Sequence, residues 1–100
     1  MPTIRIQRAH AQSPHALRRQ AEAVARRLEA RHAVRWSFVD NRLGLVAASG
    51  VASGARGSVT IGEADVTVEL HLPFGLRPMR GFVERELVRR LDELLASAAA

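Results

Sequence analysis

Val66-Thr67-Val68-Glu69-Leu70-His71-Leu72 alternates without a break between apolar and polar side chains. A strand turns successive side chains to opposite faces. Val66, Val68, Leu70 and Leu72 therefore make one dry face, and Thr67, Glu69 and His71 make one wet face. A sheet that is dry on one side only is antiparallel, and its dry side must pack on a second layer.

Upstream, Gly62-Glu63-Ala64-Asp65 reads as a turn and Ser58 to Ile61 as the preceding strand. Ser49 to Gly57 carries Gly50, Gly54 and Gly57 and reads as a loop. Leu43, Leu45 and Ala47 form another strand. Asp40-Asn41 is a turn signal. Before it, Val34, Trp36 and Phe38 alternate with Arg35 and Ser37, so two strands meet in a hairpin. Trp36 is expected to be buried on the dry side of its strand. Thr3 to Arg8 alternates as well, with Ile4 and Ile6 against Arg5 and Gln7.

Two segments carry helical periodicity. Ser13 can cap backbone N–H groups and Pro14 suits a first helical position. From there Leu17, Ala21, Val24, Ala25 and Leu28 form one stripe, so a helix is predicted from Pro14 to Arg31. Downstream, Pro73-Phe74-Gly75-Leu76-Arg77 breaks the last strand, and Pro78 is expected to open the final helix. Met79, Phe82, Val83, Leu87, Leu91, Leu94 and Leu95 form its apolar face. The tail Ala96 to Ala100 is expected to fray.

The element order is β-α-β-β-β-β-α, a two-layer α+β class in one domain over residues 1–100. The later strands form a meander, and the first strand closes the sheet beside the last. Both helices share one face of a curved antiparallel sheet, and the other face is open or concave. The order is similar to TATA-binding-protein-like and helix-grip arrangements, a likeness of architecture that says nothing of function.

Composition narrows the chemistry. An apolar fraction of 47% is that of a folded chain. There is no cysteine, which excludes disulfides, thiolate metal sites and cysteine nucleophiles, and suits a cytoplasmic protein. No stretch approaches the roughly 18 apolar residues of a spanning helix. The net charge is +5, and all 15 basic residues are arginine. Arg18, Arg19, Arg26, Arg27 and Arg31 interleave with Glu22 and Glu29 on the first helix. Arg85, Arg89 and Arg90 stand beside Glu84, Glu86, Asp92 and Glu93 on the last. Such mixed-sign faces are solvated surfaces and argue against nucleic acid as a partner.

His10, His15, His32 and His71 form no metal-ligand spacing. Glu84 and Glu86, Asp92 and Glu93, and Glu63 and Asp65 are not arranged to share a proton. No serine stands in a nucleophile elbow. The glycine loop GVASGARG lacks the ending of a phosphate-binding loop and leads into a strand. No catalytic residue, cofactor or metal is therefore expected, and the chain reads as a binding protein rather than an enzyme. Its candidate contact residues are Phe74, Leu76 and Met79, apolar side chains between strand and helix. They either plug the end of the core or present a patch to a partner.

The chain resembles the polyhydroxyalkanoic acid system family, small bacterial proteins linked to polyhydroxyalkanoate storage granules. The likeness is carried by I-R-I-Q-R-A-H (Ile4 to His10), Ala21-Glu22, and Trp36 with Asp40. It continues through G-A-R-G-S-V-T-I-G (Gly54 to Gly62), V-T-V-E-L-H-L, Phe74 to Pro78, E-R-E-L (Glu84 to Leu87) and L-D-E-L (Leu91 to Leu94). The resemblance implies a role in granule formation, regulation or surface binding, with the granule or a granule-associated protein as partner. A homodimer would strengthen such contact. The other readings are a nucleic-acid-binding regulator and a carrier of a small apolar ligand.

Overall fold

A computed structural model describes residues 4–47 and 53–99, with side chains as far as residue 96. The elements are β1 (Ile4–Ala9), α1 (Pro14–His32), β2 (Val34–Val39), β3 (Arg42–Ala47), β4 (Arg56–Ile61), β5 (Asp65–His71) and α2 (Arg80–Ala99). A short 3-10 helix, Phe74–Met79, leads into α2. The strands form one antiparallel sheet in the order β1-β5-β4-β3-β2. The first strand thus closes beside the last, as expected, and β1 and β2 are the edges.

Local chemistry sets most boundaries. Ser13 is extended, and its hydroxyl accepts from the Ala16 N–H at 3.1 Å, with Pro14 next in line. At the other end of α1, Ala33 reverses the chain in the left-handed region (φ 52°). Asp40, also left-handed (φ 54°), turns β2 into β3. Gly62 N–H donates to Asp65 O at 2.8 Å in the turn between β4 and β5.

Some boundaries differ from expectation. β4 starts at Arg56, so Gly57 is a strand residue rather than part of the loop. It lies opposite Leu45 and Leu70, and its missing side chain leaves room for Leu70, whose Cδ1 would be 3.4 Å from an added Cβ. Pro78 does not open α2; it sits inside the 3-10 helix, and α2 begins at Arg80. α2 also continues to Ala99 instead of fraying at Ala96, in keeping with alanine's helix propensity. Most of the expected Ser49 to Ser53 loop lies outside the described residues.

The core fills the space between the helices and one sheet face. It contains Ile4, Ile6, Leu43, Ile61, Val66, Val68 and Leu72 below, and Leu17, Ala21, Ala25 and Leu91 above. α1 lies over β2, β3 and β4, whereas α2 packs on β1 and α1. The small side chains of Ala21 and Ala25 bring α1 close to the sheet. Arg8 to Asp92 (3.3 Å) and Gln12 Nε2–H to Leu95 O (3.0 Å) tie α2 to the β1 end.

Trp36 departs from expectation: it is half-buried rather than fully enclosed. β2 is an edge strand, so Trp36 has a neighbouring strand on one side only. Phe38 meets it edge-on at 6.4 Å. Two α1 arginines complete the roof, Arg26 over Trp36 at 5.5 Å and Arg18 over Phe38 at 4.7 Å. Such stacking adds cation–π attraction while the stems shield apolar surface.

Candidate binding surfaces

The 3-10 helix and the first turn of α2 present an apolar cap at the end of the sheet. Phe74 is 84% exposed, Met79 49% and Phe82 55%. Leu76 turns the other way and packs against the core. Of the three residues expected to act together, the structure thus leaves Phe74 and Met79 outside and draws Leu76 inside. The reason lies in the tight turn: Leu76 N–H donates to Pro73 O at 2.9 Å, folding residue 76 back over the sheet end.

Phe82 is a gain over the sequence reading, which placed it on the buried face of α2. It is nine residues from the buried Leu91, which at 3.6 residues per turn is about 180° around the helix. That phase was legible in the sequence. Arg77, Arg80 and Arg85 are exposed around the cap, and the Arg77 guanidinium lies 5.8 Å from the Phe74 ring centre.

The open face of the sheet is the second surface. A broad groove of about 840 Å³ crosses β2, β3 and β4 there. Arg35, Arg42 and Arg56 stand around it, and Ser37, Gly44 and Ser58 lie between them. These arginines lie on three separate strands, so no local period in the sequence groups them. On the helices, Arg26 pairs with Glu22 at 2.8 Å and Arg89 with Glu86 at 2.9 Å, while Arg90 approaches Glu86 at 3.6 Å. Among the described residues, none of the three groove arginines has an ion-pair partner.

The remaining polar candidates are structural or dispersed. His10 Nε2–H donates to Gly62 O at 2.9 Å, and its Nδ1 accepts from the Gln12 N–H at 3.1 Å. The ring clamps the end of β1 to the β4–β5 turn. Among the described residues, no group of three or more acidic or histidine side chains gathers as metal ligands.

Residues 4–95 match the family described as "Putative polyhydroxyalkanoic acid system protein". The chain belongs to this family. No curated protein and no solved structure matches it. The polyhydroxyalkanoic acid system match spans every strand, α1, the apolar cap and most of α2. No described helix is long and apolar enough to cross a membrane.

Proposed function

We propose that this chain is a non-enzymatic protein of the polyhydroxyalkanoate storage system that docks on the granule surface through the cap of Phe74, Met79 and Phe82. The observation that carries this reading is the exposure of three large apolar side chains on the 3-10 helix and the first turn of α2, in a chain of this family. A storage granule is a hydrophobic polyester behind a thin coat of protein and lipid. Burying the three side chains contributes on the order of 5 kcal/mol. Arg77, Arg80 and Arg85 add about 1 kcal/mol each where the coat is anionic. The sum, about 8 kcal/mol, corresponds to micromolar affinity before ordering costs. Such an affinity suits reversible attachment, and the protein divides between cytoplasm and granule.

Fractionation of polymer-accumulating cells tests the proposal. The triple variant Phe74→Ser, Met79→Ser, Phe82→Ser keeps the wild-type melting temperature, because none of the three is buried, and moves to the cytosol. Continued sedimentation of the folded triple variant with granules would show that the cap is not the contact. Binding of the wild type to protein-free polyester particles separates the polymer surface from a granule protein as the thing bound.

A further inference from the structure

The open sheet face is divided by charge. Its β5 part carries Asp65 and Glu69, while its β2–β4 part carries Arg35, Arg42 and Arg56. Asp65 is engaged by Gln7 Nε2–H at 2.7 Å, and Asp40 is the one carboxylate bordering the groove. Three exposed guanidinium groups thus outnumber the bordering Asp40 carboxylate on this surface, whose lining they share with the exposed Val39 and Val46. Such an arrangement raises the local concentration of anions.

The pairing register spaces these groups. Arg35 and Arg56 both lie opposite Val46, two strand spacings or about 10 Å apart. Arg42 is on the same strand as Val46, four residues away, or about 14 Å along it. Anchor points so far apart suit a ligand with several separated anionic groups. Ser37 adds an exposed hydroxyl donor between them, of the kind that contacts phosphate oxygens. At Gly44 an added Cβ would meet nothing nearer than Ser37 O at 4.0 Å, so the floor there is open. All four aromatic residues stand elsewhere: Trp36 and Phe38 under α1, Phe74 and Phe82 on the cap. Binding of single strands draws on bases stacked on aromatic rings. The groove lacks such rings but can hold backbone phosphates.

We propose that the β2–β4 part of the open sheet face binds duplex DNA through its phosphate backbone, without sequence preference. The site is independent of the apolar cap and lies on the opposite side of the sheet from the helices. Contact with about three phosphates predicts a slope of about −2.7 in log affinity against log salt. Affinity then falls about 40-fold between 50 and 200 mM salt.

Fluorescence anisotropy with a labelled duplex of random sequence at low salt is the test. Arg35→Gln with Arg42→Gln and Arg56→Gln is expected to weaken binding at least tenfold and flatten the salt slope. Gly44→Glu, which places a carboxylate on the open floor, is expected to do the same with an unchanged melting temperature. Arg19→Gln with Arg27→Gln and Arg31→Gln removes the same charge from the exposed side of α1 and is expected to leave most of the affinity. An equal loss in this control would overturn the proposal, because net charge alone would then explain the binding. Absence of wild-type binding at 50 mM salt would also overturn it. Tighter binding of a single strand of the same length, or of inorganic polyphosphate at equal phosphate concentration, would reject duplex DNA as the ligand.

Discussion

Individual side chains set the local stability of this protein. Among the described residues the Trp36 Nε1–H is buried without a hydrogen-bond partner, and an unmet buried donor costs about 1–3 kcal/mol. Trp36→Phe removes that donor along with part of the ring, so the two effects oppose each other. Its stability in a urea melt is expected within about 1 kcal/mol of wild type. Trp36→Ala removes the packing as well and is expected to cost about 2–3 kcal/mol, below the usual core value because the residue is half-buried. Ala33 holds a left-handed conformation that glycine adopts freely. Ala33→Gly is therefore expected to raise stability by about 0.5–1 kcal/mol, and an unchanged melting temperature would place the strain elsewhere. Gly62 is the reverse case. A Cβ there would meet Asp65 Oδ1 at 2.6 Å and Asp65 O at 3.2 Å, so Gly62→Ala lowers the melting temperature.

Leu76 and Phe74 sit two residues apart yet face opposite worlds. Leu76→Ser places a hydroxyl against the core and is expected to cost about 2–3 kcal/mol. Phe74→Ser leaves the core untouched and is expected to stay within about 0.5 kcal/mol of wild type. Parallel thermal melts distinguish them, and equal losses would mean that the ring of Phe74 also belongs to the core.

At the scale of elements, the two helices are held differently. α1 is capped by Ser13, seated by Ala21 and Ala25, and roofs the sheet edge with Arg18 and Arg26. Ser13→Ala is expected to cost about 1 kcal/mol. Among the described side chains of α2, Leu91 alone is buried, and Val83, Leu87, Val88, Leu94 and Leu95 are half-covered. Its surface side is stiffened by the Arg89–Glu86 pair, supported by Arg90 and Glu93. The Arg89 hydrogen bond holds the Glu86 carboxyl below the usual glutamate range, against a smaller opposing effect of desolvation, and the nearby Arg89 and Arg90 charges add to the lowering. A carboxyl held low in the folded state contributes above its unfolded pKa, and that contribution fades as pH falls through the folded value. The pair is exposed, so the effect on stability is small. An NMR titration of Glu86 is expected to show the lowered value, and Arg89→Gln to return it toward the ordinary range. No change on that substitution would mean that Arg90 governs the site.

At the scale of the whole molecule, function separates onto two surfaces. The apolar cap lies at one end of the sheet and the basic groove on its open face, so the two variants, cap and groove, are expected to act independently. The cap variant keeps duplex binding and the groove variant keeps granule attachment, each measured by the assay of the other. Loss of both activities in either folded variant would show a single shared surface.

The strands and helices were legible because each carries its own period. The alternation of Val66 to Leu72 and the stripe of Leu17, Ala21 and Ala25 report burial whatever the partner, since a strand and a helix each expose a fixed face. The pairing of β2 with β3 and of β4 with β5 followed too, because short turns force neighbours to pair. The chain-wide likeness to the polyhydroxyalkanoic acid system family lay in the order of its segments and needed no coordinates. What only the tertiary structure decided was which apolar residues run out of neighbours. Trp36 is half-open because β2 is an edge, Leu76 is turned inward by the 3-10 turn, and Phe82 is left outside by the placement of α2 over β1 and α1. The grouping of Arg35, Arg42 and Arg56 is likewise a product of register. They lie on three strands and meet only when those strands pair, and long-range pairing is a property of the folded sheet that no local period encodes.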